Sequence, residues 1–182
     1  MSPQGRLLAV FSILLTLTVG CDSGSVPGCF PARIAPRGTA PDFELSTLEN
    51  PKNTVRLSEV YAENPVLLIF WATWCPPCVE EIPLLNEWHE RYQGRGLKIL
   101  GVNVQERREE LLDFRKKFPI DYPVVLDAEG ALISSYGLVG LPVSVFVAKG
   151  GEILYYGFGL PVNIEELLAK GGAPQARKEI PE

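Results

Sequence analysis

Histidine is almost missing from this chain: its 182 residues include one, His89. A serine–histidine–acid triad needs a histidine beside its nucleophile, and a multi-histidine metal site needs several, so both classes are set aside. Basic clusters are missing as well. The net charge is −5, without the basic footprint of a nucleic-acid binder, so no nucleic-acid partner is expected. There are no internal repeats. The uncharged stretch from Leu7 to Val19 is too short for a comfortable membrane span. Cysteine is scarce, with four in all: Cys21, Cys29, Cys75 and Cys78. What is plentiful is apolar material, at 46% of residues, enough for one sizeable core plus appendages.

The N-terminus fits a targeting segment. Arg6 supplies a short positive region ahead of the apolar stretch, as in a secretory signal peptide over residues 1–20. The stretch ends in Leu17-Thr18-Val19-Gly20-Cys21, which resembles a bacterial lipobox. It predicts cleavage before Cys21 and lipidation of Cys21. A plain signal peptide and an uncleaved anchor are the other readings, and all three place the mature domain outside the cytoplasm. Asp22 resembles an inner-membrane retention signal. Residues 21–38 are rich in Gly, Pro and Ser and read as a flexible tether. Cys29 lies there and takes no catalytic role. The domain is expected over 39–170, with a polar tail over 171–182.

Within the domain, strands alternate with helices. Short strands are expected at Phe43–Leu45 and Thr54–Leu57, then a short helix capped by Ser58. Apolar runs at Val66–Phe70, Leu97–Val104, Tyr122–Leu126 and Val143–Ala148 read as strands, with a final strand at Glu152–Tyr156 after the Lys149-Gly150-Gly151 turn. Helices are expected from Pro76 to about Tyr92 with Pro83 inside it, from Arg107 to Phe118 with Leu111, Leu112, Phe114 and Phe118 as its apolar stripe, from Gly130 to Tyr136, and from an Asn163 cap to Lys170. The pattern predicts an α/β sheet with a mixed edge.

The chemistry sits in Phe70-Trp71-Ala72-Thr73-Trp74-Cys75-Pro76-Pro77-Cys78. A buried strand that hands Cys-x-x-Cys to a helix start makes a thiol–disulfide exchange centre, because helix amides and the positive dipole end stabilise a thiolate there. Cys75 is expected at the helix N-terminus with an exposed sulfur, attacking a partner disulfide; Cys78, one turn on, resolves the mixed disulfide. The competing reading of Cys-x-x-Cys is half a zinc site, for which the chain offers no second pair. Pro76 and Pro77 have no N–H to give, so Cys78 is the first residue that can donate to the Cys75 thiolate. A thiolate with fewer donors gives a lower potential, which predicts a reductant. Trp74 is expected at the rim of the site and Trp71 in core or rim packing. Gly140-Leu141-Pro142-Val143 enters a strand. By spacing alone Pro142 is an ordinary trans proline; a cis bond would turn the Leu141 backbone toward the cysteines, where its N–H and C=O could pair with an extended substrate.

Trp71-Ala72-Thr73-Trp74-Cys75-Pro76-Pro77-Cys78, Pro83 and Gly140-Leu141-Pro142 together resemble the thioredoxin superfamily. More narrowly, Ala40-Pro41-Asp42-Phe43-Glu44-Leu45, Val102-Asn103-Val104, Phe118-Pro119 and Tyr122-Pro123-Val124-Val125-Leu126-Asp127 resemble the membrane-tethered extracytoplasmic proteins of the TlpA/ResA type. The resemblance covers about Ala40 to Leu168. It implies a thioredoxin fold with an N-terminal extension and a central βα insertion, a mixed central sheet flanked by helices. It also implies a cis Pro142 and substrate contacts at Trp74, Pro76, Leu141 and Pro142. The implied activity is reduction of disulfides in exported clients, for example apocytochrome c, with electrons from a membrane thiol-transfer protein and no cofactor beyond the Cys75–Cys78 disulfide. Glu81 matches the family's proton acceptor, and Glu106, more weakly, a second acid. The chain departs from thioredoxin itself at Ile69, where that protein carries a buried acid, and at Val143, where the family often has Thr, a change that bears on substrate choice.

Four other readings compete. The Ala-Pro-Asp-Phe opening also occurs in peroxiredoxins, whose site needs Pro and Thr where this chain has Leu68 and Ala72. A copper-handling module would need a third ligand, but His89 lies about 16 Å down the helix from Cys78; a reductase serving a copper protein is the same chemistry with another client. A disulfide-forming oxidase and a binding lipoprotein whose disulfide never turns over are the remaining alternatives.

Overall fold

The computed structural model describes residues 38–173. The expected signal peptide, Cys21, Cys29, the tether before Gly38 and the tail beyond Ala173 lie outside the described residues. Among those described, no helix is long and apolar enough to cross a membrane.

A two-stranded antiparallel hairpin opens the domain, β1 (Glu44–Ser46) and β2 (Thr54–Arg56), with Leu45 opposite Val55. Helix α1 (Leu57–Glu63) starts two residues earlier than expected, with Arg56 in place of Ser58 at the N-cap, because Leu57 turns inward and is fully buried. Ser58 is therefore inside the first turn and does not cap it. Instead its N–H and its hydroxyl both donate to Asp42, each at 2.8 Å. The first amides of a helix have no partner within it, and a distant carboxylate fills that place here.

Next come β3 (Val66–Trp71), α2 (Pro76–Gln93), β4 (Lys98–Val104), α3 (Arg108–Arg115), β5 (Val124–Asp127), α4 (Leu132–Tyr136), β6 (Val143–Val147), β7 (Ile153–Phe158) and α5 (Ile164–Lys170). The main sheet has the order β5-β4-β3-β6-β7. Strands β3, β4 and β5 are parallel; β6 and β7 run antiparallel. This is the expected mixed sheet flanked by helices, with β1, β2 and α1 as the N-terminal extension and β5–α4 as the βα unit before β6. The hairpin is tied to edge strand β5 by the Leu48 N–H to Val124 C=O bond (2.8 Å) and to α3 by the Arg108 guanidinium, which donates to the Thr47 and Leu48 carbonyls.

All six side chains of β3 are buried, as expected of a central strand with both faces covered. One face packs Leu67, Ile69 and Trp71 under α2 and α5; the other packs Val66, Leu68 and Phe70 under Leu57 and Tyr136. Each such side chain stabilises the fold by about 1.5–3 kcal/mol. Helix α2 meets the sheet through Cys78, Ile82, Leu85, Trp88 and Tyr92, a stripe of helical period.

Three boundary expectations change. Helix α3 ends at Arg115, not Phe118, and of its expected stripe Leu112 and Phe118 are about 40% exposed; the helix is too short to bury more than the Leu111 line, although Phe118 stacks on Phe114 at 4.6 Å. Asn163 stands at the N-cap of α5, but its side chain donates to Glu166 (3.2 Å) and not to the helix backbone's service. The packed chain also runs past Lys170. Gly171 accepts from the Lys149 N–H (2.8 Å), and it lies so close to Phe146 that a Cβ would stand 2.7 Å from the ring.

Candidate active site

The register of the sheet gathers the expected site residues at the carboxyl end of β3. Trp71, the last residue of β3, pairs with Asn103 of β4, while Phe70 pairs with Val143 of β6. The loops after β3, after β4 and before β6 therefore lie side by side. The Gly159 N–H donates to the Pro142 carbonyl (3.3 Å), which brings the end of β7 to the same place.

The loop after β3 is held from below by Glu106. Its carboxylate accepts the Thr73 N–H (2.7 Å), the Thr73 hydroxyl and the Asn103 side-chain amide (2.7 Å), and the residue is 7% exposed. Gln105, just before it, has φ +57°, the left-handed region that a side chain seldom occupies. Sparsely populated backbone of this kind persists where its surroundings over-determine it, commonly at functional sites. Here the Gln105 N–H is fixed to the Asp127 carbonyl (2.9 Å). Glu106 was legible only through its weak family match, with an acid two residues past a buried strand as the available signal; Thr73 and Asn103 lay within the family motifs without a role of their own.

Cys75 is the N-cap of α2 and is joined to Cys78 in a disulfide. Pro76 and Pro77 fill the first two helical positions, where a missing N–H costs little. The Cys78 N–H donates to Cys75 Sγ at 3.3 Å. The expectation of an exposed Cys75 sulfur is corrected: both cysteines are 3% exposed. In this oxidised form Cys75 Sγ is bonded to Cys78 and faces the first-turn amide, so the sulfur is turned into the helix start and away from solvent.

Glu81 lies one turn beyond Cys78 on α2 and is half-buried. Its Oε2 is buried with no hydrogen-bond partner. Burial pushes its pKa above the ordinary carboxylate value, although the Leu160 backbone amide pulls the other way. Two tyrosines feel its charge. Burial, and secondarily Glu81, raise both the Tyr122 and the Tyr155 hydroxyls. Neither was singled out by sequence, since each reads there as an ordinary strand aromatic.

The Leu141–Pro142 bond is cis. Among the described residues, the Leu141 N–H and C=O bond to no backbone group. Pro142 itself is buried, Leu141 and Thr73 are partly covered, Pro76 is exposed, and Trp74 is 68% exposed beside Cys75. Trp71 is core at 2% exposure. Val143 does not reach the site: strand alternation puts it on the α1 and α4 face with Phe70 and Tyr136, away from the cysteines. Ile69 is buried where thioredoxin has its acid, and its neighbour across the strand pair is Ser144.

A cysteine pair at a helix start, fed by the central strand of a mixed sheet and flanked by a cis-proline loop, is the architecture of the thioredoxin superfamily, and its chemistry is thiol–disulfide exchange. The AhpC/TSA family model matches residues 36–156, and the chain belongs to that family. It is 36% identical to the thiol-disulfide oxidoreductase ResA of Geobacillus thermodenitrificans over 155 residues, 84% of this chain and 87% of that one. Among solved structures it is similar to the pneumococcal exposed lipoprotein thioredoxin Etrx1 of Streptococcus pneumoniae (TM-score 0.62, 27% identity, 71% of this chain and 99% of that one). It is also similar to a secreted thiol-disulfide isomerase of Corynebacterium glutamicum (TM-score 0.61, 27% identity, 72% and 82%). The protein is thus a thiol–disulfide oxidoreductase, a thioredoxin-like protein-disulfide reductase. The residues at the two peroxiredoxin positions, Leu68 and Ala72, are fully buried and apolar, so no hydroxyl stands there to hold a peroxide.

Proposed function

We propose that the protein reduces disulfides in exported client proteins, working outside the cytoplasm and held to the membrane by lipid on Cys21. The observation that carries this reading is the single backbone donor to Cys75 Sγ, from Cys78 at 3.3 Å, with Pro76 and Pro77 in the two positions before it. A helix start normally offers several N–H groups to a thiolate. With fewer donors the thiolate is less stabilised, the dithiol gives up its electrons more readily, and the potential falls.

The cycle runs in two steps. The Cys75 thiolate attacks one sulfur of a client disulfide and the other client sulfur leaves as a thiolate. The Cys78 thiol then loses its proton to Glu81 and its sulfur attacks Cys75 Sγ, releasing the second client thiolate. Two electrons pass from the enzyme dithiol to the client. A membrane thiol-transfer protein restores the dithiol, and the disulfide itself is the only redox group required. The client lies against Trp74, Pro76 and Pro142 as an extended segment, paired with the open N–H and C=O of Leu141 as an added strand. Trp74, Val139 and Phe158, each more than 60% exposed, favour an apolar segment next to the client cysteine. Apocytochrome c is one client of that description. The lipoprotein and secreted character of the two similar solved proteins supports the location.

The test is the reduction potential of Cys75/Cys78 in graded thiol buffers, with thiols trapped and counted by mass. A value near or below about −250 mV is expected; a value near about −120 mV would make the protein a disulfide-forming oxidase.

A further inference from the structure

Helix α2 carries a second stripe beside the one it buries. Cys78, Ile82 and Leu85 face the sheet and are buried. Next to them Pro76, Val79, Pro83 and Asn86 follow one another at spacings of three and four, so they line one flank of the helix. Pro76 and Pro83 are exposed, and Val79 and Asn86 are half-buried. The segment after α3 stands opposite this flank. Between the two runs a groove of about 440 Å³, with Val79, Pro83 and Asn86 on one wall and Lys117, Phe118 and Pro119 on the other.

The walls are tied together. The Asn86 side-chain amide donates to the Pro119 carbonyl (3.0 Å), and its oxygen accepts the Asp121 N–H (3.0 Å). Phe118 is 42% exposed yet fixed. It stacks on Phe114 at 4.6 Å, and Phe114 packs at 5.8 Å on Trp71, the residue that ends β3 ahead of the reactive loop. An exposed aromatic already held in place loses little further freedom when a partner side chain meets it. Glu80 and Lys117 also border the groove, one charge of each sign, so nothing there selects a charged occupant. The groove opens beside the sulfur centre, where the Val79 N–H donates to the Cys75 carbonyl (3.2 Å). Pro83, at the middle of the groove, lies about 12 Å along the helix from Cys75. An extended chain covers that span in about three or four residues.

We propose that this groove is a client subsite, which takes a neutral apolar side chain about three or four residues from the client cysteine. The proposal rests on the reading that clients bind in extended form and are reduced at Cys75. It adds a residue, beyond the immediate neighbours of the client cysteine, that the protein selects. The client is the occupant because the groove is continuous with the reactive centre. A client joined to Cys75 by a mixed disulfide presents its flanking residues here at high local concentration. Phe118 is the specificity-determining wall: it is aromatic, exposed toward the groove and braced from behind by Phe114.

The test uses the reduced protein and short peptides closed by an internal disulfide. One phenylalanine steps through an otherwise Ser- and Gly-rich sequence on either side of the cysteines. Second-order rate constants for oxidation of the protein are read by trapping the thiols and counting them by mass. Phenylalanine about three or four residues from the attacked cysteine is expected to speed the reaction about tenfold over serine at the same place. Phe118→Ala should shrink that ratio to about twofold or less, and Phe118→Leu should keep most of it. The readout compares two peptides within one variant, so a general loss of reactivity or a partly unfolded fraction cancels. A ratio that is flat at every position in the parent, or that survives Phe118→Ala unchanged, overturns the subsite and leaves the reductase reading standing. A flat ratio together with a dimer in sedimentation that Phe118→Asp abolishes gives the groove to a second copy of the chain and overturns the proposal too. If the parent reduces none of the peptides and oxidises their dithiol forms, the reductase reading fails and the subsite falls with it.

Discussion

Two glutamates flank the reactive disulfide, and they are treated in opposite ways. Glu106 is nearly inaccessible and has three donors on its carboxylate, from Thr73 and Asn103. Glu81 is half-open, yet one of its oxygens is buried without a partner. A buried carboxylate with a full set of donors is held in one position and serves as a fixture. One left short of donors has its charged form penalised, which raises its pKa. The contrast separates the acid that shapes the site from the acid proposed to react in it.

The contrast is sharpest for Glu106→Ala. It strips three donors of their acceptor and frees the loop before Cys75. We expect a stability loss of about 3 kcal/mol, read as a lower urea midpoint with an unchanged slope. Glu81→Gln should do the reverse: closure of the disulfide slows about 100-fold, about 2.7 kcal/mol in barrier, with no loss of stability at pH 7. The sign follows from the raised pKa. A carboxyl whose folded pKa lies above its unfolded value stabilises the fold below that value, near 4.5, and loses that contribution as pH rises through the folded pKa. At neutral pH the charge is therefore a cost that glutamine removes, and the variant should be at least as stable as the parent there and lose this advantage toward pH 4. If the two variants behaved alike in both measurements, the distinction between the acids would collapse.

Asp42 gives the smaller and opposite control. Burial tends to raise its pKa, but hydrogen bonds from the Ser58 hydroxyl and amide and the Phe43 amide, with Arg56 nearby, outweigh this and lower it. Its stabilisation is present above the unfolded value near 3.8 and is lost as pH falls through the lower folded pKa. Asp42→Asn should cost about 1 kcal/mol at pH 7 in urea unfolding, and the difference should shrink in acid, opposite in direction to Glu81→Gln.

Much of this was legible in the sequence because it is local. Apolar runs mark β3, β4 and β6, and the cysteine spacing with its two prolines marks the start of α2. What failed was non-local. Ser58 looks like a cap until Asp42, distant in sequence, takes its hydrogen bonds. Val143 looks close to the cysteines until strand parity turns it to the other face. Cys75 looks exposed because a sequence does not show which way a bonded sulfur turns. Tyr155 had no signal at all, since its position depends on the missing side chain of Gly157.

The chain enters the domain at a particular point of the sheet. Thr39 bridges to Glu152, and Gly38 accepts from the Ile153 N–H at 2.9 Å, at the start of β7. The disulfide lies beyond the other end of that strand. Along β7 the two are separated by about 17 Å. Any pull on the chain ahead of Gly38 is borne by hydrogen bonds at the far pole of the sheet, and the load path bypasses the reactive loops. Gly38 and the sulfur centre stand at opposite poles of the sheet, so force applied at one is carried away from the other.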